Sequence, residues 1–171
     1  ALYEPAWWMA QVAAHALDLG WQVEGVCRDP RGVAPAGVVV HPHGALGFES
    51  ALSEALASRP SLVYLVSPGP FTSRMVDAIG HTPLVVDVMT HWPVCPNDDL
   101  MRRPAFQRCD LRYPADACGP CAGFERMRDM QTRLRLVRGA AVVIAHARFQ
   151  AERRAGLLAR PIECVTVGVD T

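Results

Sequence analysis

The chain has 171 residues, half of them apolar and a fifth charged, which is ordinary for a single globular domain. Its formal net charge at pH 7 is zero, so the charge balance favours neither a nucleic-acid partner nor an anionic membrane. No apolar run reaches the roughly 18 residues that a membrane-spanning helix needs. Without a visible signal peptide, the chain is predicted to be cytoplasmic and to form one domain over residues 1–171.

The first half of the chain alternates between helical and strand patterns. Apolar residues recur at the i, i+3 and i+4 spacing of one helical face, first from Met9 to Leu17 and again from Phe48 to Leu56. Short apolar runs rich in β-branched residues separate these segments and favour strands. The predicted elements are a helix that begins at Pro5 and ends at Gly20, strands at 21–27 and 37–41, a helix at 46–58 and a strand at 61–67.

The second half continues this alternation and is interrupted once, by a long aperiodic segment at 91–121. A helix follows Thr72, its predicted N-cap. Such alternation with apolar strands predicts an α/β fold, a doubly wound and mostly parallel Rossmann-like sheet with a Cys-rich insertion loop. The remaining predicted elements are strands at 83–90, 140–146 and 162–168 and helices at 123–138 and 149–159.

The segment 91–121 contains four of the six cysteines and five prolines. Proline removes backbone donors and interrupts regular elements, and the few apolar residues here follow no period. An insertion this long without regular structure is uncommon in a compact domain unless it is functional or disordered. The sequence therefore predicts a loop that something covalent or metallic holds in place.

The four cysteines of this loop form a candidate metal site. Cys118 and Cys121 have the CxxC spacing, which lets both thiolates reach one ion from a tight turn, and Cys95 and Cys109 complete a set of four. Zinc prefers such a set in a tetrahedron, and an iron–sulfur cluster takes the same four thiolates. Disulfides and free thiols remain open alternatives, while clustered cysteines in the cytosol favour metal or redox chemistry.

Three segments of the chain carry a family likeness. The first is a helix followed by LGWQVEGV at 19–26. The second is a strand that ends in Thr90 and His91 and runs into the cysteine loop, and the third is AAVVIAHARFQAERRAG followed by IECVTVGVDT. Together they cover nearly the whole chain, which resembles the N-terminal domain of a retaining, family-4 glycosyltransferase with the GT-B fold, in a subgroup with a cysteine-rich loop.

The resemblance implies the acceptor-side half of an enzyme that moves a sugar from a nucleotide-sugar donor to a small-molecule or glycan acceptor. It implies that His91 is catalytic and faces the donor sugar. It also implies that a C-terminal GT-B domain, outside these 171 residues, holds most of the nucleotide-sugar, so that the chain alone is inactive. Considered without the resemblance, His91 is also open to interpretation as a loop histidine or a further metal ligand.

Another class of function fits the same residues. The chain could be a metal-binding or redox module, with zinc or an iron–sulfur cluster in the cysteine loop and the Rossmann-like sheet as its carrier. An effector-binding domain of the same sheet class is a third alternative, and the absence of a phosphate-binding loop disfavours it.

Several other polar residues have a predominantly structural interpretation. Asp87 lies within an apolar strand and is predicted to be a buried, hydrogen-bonded acid. His41 and His43 flank a proline and are expected to belong to a turn, although histidines can bind metal. Three arginines could contact phosphate but are expected to be solvated: Arg148, Arg153 and Arg154.

Overall fold

The computed structural model describes residues 5–27, 34–44, 47–66, 72–92, 94–97, 101–102, 104–109 and 115–165. Over these ranges the chain forms helices α1 (Pro5–Asp18), α2 (Phe48–Ala57), α3 (Ser73–Ile79), α4 (Ala115–Ala122), α5 (Phe124–Gly139) and α6 (Arg148–Leu158). The strands are β1 (Glu24–Cys27), β2 (Val39–Pro42), β3 (Val63–Leu65), β4 (Leu84–Asp87), β5 (Met101–Arg102), β6 (Gln107–Arg108), β7 (Val142–Ala145) and β8 (Glu163–Cys164). Within the described ranges, no helix is both long and apolar enough to cross a bilayer.

The strands form two parallel sheets and one antiparallel hairpin. The larger sheet has the order β3-β4-β7-β8, and each neighbouring pair in it is parallel. β1 pairs with β2 in parallel, and β5 pairs with β6 to form the hairpin. The predicted α/β fold, Rossmann-like and mostly parallel, is confirmed.

The chain divides into two compact units. The first contains Ala1–Ser61 and Asp77–Gly80, and the second contains Leu62–Val76 and His81–Thr171. The β1–β2 sheet, α1 and α2 belong to the first unit, whereas the four-stranded sheet, the hairpin and helices α4 to α6 belong to the second. The single domain predicted for residues 1–171 stays a prediction.

The core of the second unit is centred on β4 and β7. Val86 and Val143 are fully buried there. Strands of a parallel sheet are covered on both faces, which explains why β4 is a nearly continuous apolar run in the sequence. On α5, the apolar residues Met127, Met130 and Val137 are buried.

Side-chain caps fix two helix ends in this unit. The backbone N–H of Met75 donates to Oγ1 of Thr72 at 3.2 Å, which confirms the predicted N-cap of α3. At the C-terminal end of α5, Nη1 of Arg160 donates to the carbonyl oxygens of Val137 at 2.8 Å and Ala140 at 2.7 Å. The Val137 carbonyl also accepts from the backbone N–H of Ala140 at 3.3 Å, and Arg160 ties the segment after α6 to the end of α5.

The cysteine-rich segment is more regular and more buried than the sequence predicts. It contains the β5–β6 hairpin and α4, and the CxxC pair lies on this helix instead of a tight turn. Trp92 is 0% exposed and Cys95 is buried, so the segment starts in the core. The prolines concealed this order, because proline usually interrupts a helix by removing a backbone hydrogen bond, yet Pro120 lies within α4.

Candidate functional site

The carboxyl ends of the four parallel strands lie at one edge of the larger sheet. Asp87 ends β4, His146 directly follows β7, and His91 comes four residues after Asp87. Open parallel sheets bind ligands beyond this edge. The polar residues Tyr64, Asp87, His91, His146 and Arg154 are here called the strand-end cluster.

A chain of hydrogen bonds connects all four strands at this edge. The Tyr64 hydroxyl, on β3, donates to Oδ2 of Asp87 at 2.8 Å, and Oδ1 of Asp87 lies 2.8 Å from Nε2 of His146. Nδ1 of His146 lies 3.1 Å from the carbonyl oxygen of Val165, which follows β8. Asp87 is 0% exposed, and these partners offset the cost of burying its carboxyl group. The prediction of a buried, hydrogen-bonded acid is confirmed.

The same partners restrict where protons can sit. A carbonyl oxygen only accepts hydrogen bonds, so Nδ1 of His146 carries a proton. The contact between Nε2 and Asp87 needs one more proton, either on the ring beside a carboxylate or on the carboxyl group beside a neutral ring. The pair has no net charge in either arrangement, which suits its burial.

His91 is held in place by a buried arginine from α6. Arg154 is 2% exposed, and its Nη1 donates to the carbonyl oxygen of Val88 at 2.8 Å. Its Nη2 lies 3.2 Å from Nδ1 of His91. The expectation of a solvated arginine at this position is wrong, because the guanidinium bonds protein groups on the segment that leaves β4.

The backbone of His91 also begins a tight turn into the cysteine-rich segment. Its carbonyl oxygen accepts hydrogen bonds from the backbone N–H of Val94 at 3.0 Å and of Cys95 at 2.8 Å. Trp92, between them, is fully buried. The first cysteine of the predicted metal set is therefore tied by one turn to the predicted catalytic histidine.

The four predicted metal ligands come from three places in the second unit. Cys95 lies in the turn after His91, Cys109 follows β6, and Cys118 and Cys121 lie three residues apart on α4. All six cysteines of the chain are described by the structure, and each is a free thiol. The set Cys95, Cys109, Cys118 and Cys121 is here called the cysteine cluster.

The influence of three cysteines on the pKa of the fourth indicates that the four thiols lie near one another. The pKa of the Cys118 thiol is raised, first by burial and then by the nearby charges of Cys109, Cys95 and Cys121. Charges interact over roughly 10 Å, whereas zinc needs sulfur ligands at about 2.3 Å. Within the described part of the chain, no three His, Cys, Asp or Glu side chains are grouped closely enough to hold a metal ion. The thiols converge without forming a closed coordination shell.

A polar contact network positions Cys121. Nδ2 of Asn97 donates to Sγ of Cys121 at 3.4 Å, and Nη1 of Arg126 donates to Oδ1 of Asn97 at 2.7 Å. The Cys121 thiol in turn donates to the carbonyl oxygen of Met101 at 3.6 Å, so its sulfur atom has polar contacts with both Asn97 and Met101. Sequence reasoning missed Asn97, which no spacing rule singles out.

His41 and His43, in the first unit, have structural partners. Nε2 of His41 lies 2.8 Å from Oε2 of Glu24 on β1, and its Nδ1 lies 3.7 Å from Oε2 of Glu54 on α2. The ring of His43 packs edge-on against Phe48, with ring centroids 4.9 Å apart. Neither histidine belongs to a metal-binding group among the described residues.

A pocket of about 320 Å³ is lined by residues of α3 and α5. Its lining is polar and basic and shares no residue with the predicted site. The lining residues are Ser73, Arg128, Gln131, Thr132 and Arg135.

Sequence reasoning identified His91 and Asp87 but missed the partners that hold them. Arg154 was detectable, since it falls on one helical face with Ala151 and Leu158, which are both buried. His146 had a weaker signal, a polar residue directly after an apolar strand. Nothing local marks a strand tyrosine such as Tyr64 as the partner of an acid on the next strand.

Comparisons of the chain with models of protein families, with curated proteins and with solved structures found no match. The chemistry of the two clusters is therefore the basis for a functional proposal. The strand-end cluster offers oriented hydrogen-bonding groups at a sheet edge, and the cysteine cluster offers four soft donors in one neighbourhood.

Proposed function

We propose that this chain is the acceptor-side, N-terminal half of a retaining family-4 glycosyltransferase of the GT-B fold. The observation that carries the proposal is the placement of His91, which follows β4 at the ligand-binding edge of the sheet and bonds the buried guanidinium of Arg154. A catalytic side chain needs a fixed orientation, and a buried arginine supplies one.

The order of elements supports the same proposal. The strand that precedes His91, the cysteine-rich segment, and the strand, helix and strand formed by β7, α6 and β8 follow one another as in the resembled family. In this proposal the acceptor is a small molecule or a glycan, and a C-terminal GT-B domain binds most of the nucleotide-sugar. The enzyme acts in the cytoplasm and has no nucleic-acid partner.

The test is a sugar-transfer assay on the complete polypeptide that carries this domain, with UDP- and GDP-sugars as donors and nucleoside diphosphate release as the readout. We expect His91→Ala to lower turnover by about 10²-fold or more, because rate depends steeply on positioning. Its melting temperature and metal content should not change. His81→Ala is the matched control, since His81 is an exposed histidine of the same unit and should be dispensable.

The opposite pattern would contradict the proposal. If His91→Ala loses metal or melts lower while turnover per folded molecule is unchanged, His91 is a ligand or a structural residue. The 171-residue chain alone is expected to bind UDP- and GDP-sugars no more tightly than about 1 mM, or about 4 kcal/mol. Micromolar binding by calorimetry would contradict the proposed division of labour between two domains.

A metal-binding or redox module is a second candidate, favoured by the cysteine cluster. Burial and then three neighbouring thiolates raise the pKa of Cys118, and a cation would relieve this repulsion. Zinc and an iron–sulfur cluster both suit four thiolates. Elemental analysis of anaerobically purified protein should give about one metal centre per chain. Metal-free protein with every thiol free would remove this candidate, and visible absorption would favour a cluster over zinc.

A further inference from the structure

We propose, building on the function proposed above, that Arg154 is the positioning residue of His91 and restricts it to the neutral tautomer with its proton on Nε2. In that form His91 acts as a hydrogen-bond donor to an oxygen atom of a sugar or a phosphate. It does not act as a general base through Nδ1 or as a metal ligand.

The contact between the two side chains fixes the direction of the hydrogen bond. A guanidinium has five N–H donors, no acceptor, and a charge that it keeps at all physiological pH values. Nη2 of Arg154 lies 3.2 Å from Nδ1 of His91, so this ring nitrogen must offer its lone pair. A neutral imidazole with a lone pair on Nδ1 carries its proton on Nε2.

The guanidinium cannot easily turn away from this contact. Arg154 is 2% exposed, and its Nη1 is already bonded to the carbonyl oxygen of Val88 at 2.8 Å. The planar guanidinium thus holds the backbone after β4 and the ring of His91 together. Because its N–H groups point in fixed directions, it orients both hydrogen bonds at once. The ring is oriented by α6, an element that the chain reaches only after a further 57 residues from His91 to Arg148.

The same charge limits what His91 can do. A second positive charge on the ring, or a metal cation bound to it, would sit beside a buried guanidinium and be repelled by it. Donation from Nε2 to an oxygen that is electron-rich or anionic is favoured instead. This separates His91 from the cysteine cluster in function, even though one backbone turn connects His91 with Cys95.

Nuclear magnetic resonance of the ring nitrogens tests the contact directly. Long-range ¹H–¹⁵N correlation spectra of the ¹⁵N-labelled chain distinguish the two neutral tautomers from imidazolium, and His91→Gln assigns the signals. We expect His91 to be the Nε2–H tautomer near neutral pH. A proton on Nδ1, or a doubly protonated ring, would overturn the proposal without any use of a variant at Arg154.

Variants then show whether Arg154 is the cause. Arg154→Met keeps the bulk of the side chain and removes its donors, so His91 should become a mixture of tautomers. Arg154→Lys retains a donor and a charge and should restore part of the Nε2–H population. Arg153→Met, an exposed arginine one position earlier, is the control and should leave the spectrum unchanged. An unchanged tautomer in folded Arg154→Met would overturn the assignment of this role, and if that variant does not fold, Arg154→Lys and the wild-type spectrum decide.

The enzymatic readout distinguishes this proposal from the function it builds on. In the complete polypeptide, Arg154→Met should lower kcat by about 10- to 100-fold with KM little changed. The reason is that a misplaced His91 ring weakens stabilisation of the transition state more than binding of the substrate. If transfer is absent in the wild type but the tautomer is as expected, the proposed function fails and the role of Arg154 stands. If transfer occurs and Arg154→Met retains full kcat, the role of Arg154 fails and the proposed function stands.

Discussion

The strand-end cluster and the cysteine cluster are joined by a single backbone turn, yet their polar groups are satisfied in different ways. Asp87 has partners on both oxygens, and His146 has partners on both ring nitrogens. In the cysteine cluster, the pKa of Cys118 is raised first by burial and then by three other thiols. One cluster is held by complementary donors and acceptors, and the other brings together groups that repel each other when ionised.

The difference predicts how each cluster would respond to a bound ligand or cation. A site made of complementary groups is set by the fold before any ligand arrives, which is how oriented catalytic groups are built. A site made of like groups avoids repulsion while its thiols stay protonated, and a bound cation would stabilise their ionised form, which is how metal binding contributes to folding. The two clusters therefore predict opposite responses to mutation, metal removal and pH.

The largest expected effect tests the complementarity of the strand-end cluster. Asp87→Ala removes a fully buried acid and leaves Tyr64 and His146 without their partner, at an expected cost of about 3–5 kcal/mol. Asp87→Asn is the matched control, because its amide can still accept from Tyr64 and donate to Nε2 of His146. Its cost should be near 1 kcal/mol. Urea denaturation measures both values, and equal losses would show that burial alone, and not the hydrogen bonds, makes Asp87 important.

The fold was predictable because its signal is repeated along the chain. Apolar runs such as the one around β4 alternate with helical periodicity, and both patterns arise from burial in a covered parallel sheet. The segment 91–121 was not predictable in the same way. Two-residue strands such as β5 and β6 are too short to show a period, and Pro120 conceals the helix that carries Cys118 and Cys121.

From the sequence, a residue of the candidate site could be predicted only where its own type and position were unusual. His91 and Asp87 stand out as polar residues in or after an apolar strand. Their partners come from distant parts of the chain, as with Asp87 and His146, 59 residues apart. Arg154 reaches His91 from 63 residues away. Such pairings depend on strand order and helix placement, which local spacing does not encode.

A smaller effect is expected from loss of one thiol in the cysteine cluster. If the cluster holds a metal, Cys118→Ser should reduce bound metal to well below one equivalent and cost about 1–2 kcal/mol, because α4 packs against α5 and is not part of the four-stranded sheet. Far-ultraviolet circular dichroism should remain largely intact. Cys164→Ser, an exposed cysteine outside the cluster, is the control and should retain full metal content. Global unfolding of Cys118→Ser would show that the segment is integral to the core.

The pH dependence of stability should reverse sign with metal. In the metal-free chain the pKa of Cys118 is raised by burial and by neighbouring thiols, so folding favours its protonated form. The stability this provides is present below the ordinary thiol pKa, about 8.5, and is lost as pH rises through the raised value. With metal bound, the thiolate is the stable form and protons compete, so stability is lost as pH falls. Melting temperatures between neutral and alkaline pH, with and without chelator, measure this, and identical slopes would argue against a metal centre.

The smallest expected effect separates two contributions to the strength of a hydrogen-bonded ion pair, its burial and the distance between its atoms. The pair of His41 and Glu24 in the first unit has the same 2.8 Å separation as the pair of His146 and Asp87, but Glu24 is 32% exposed where Asp87 is 0% exposed. The pKa of Glu24 is lowered by hydrogen bonds from His41 and then Ser58, against an opposing contribution from partial burial. The stability that results is present above the ordinary glutamate pKa, about 4.3, and is lost as pH falls through the lowered value.

Because water screens an exposed pair, Glu24→Gln should cost less than about 1 kcal/mol at neutral pH, several-fold less than Asp87→Ala. It should also flatten the acid limb of the stability curve, which urea denaturation at a series of acidic pH values measures. Asp77→Asn, a change at an exposed acid on α3, is the control. A loss from Glu24→Gln as large as that from Asp87→Ala would mean that hydrogen-bond distance, and not burial, sets the strength of these pairs. The stability of the strand-end cluster would then not arise from the exclusion of water around its complementary groups.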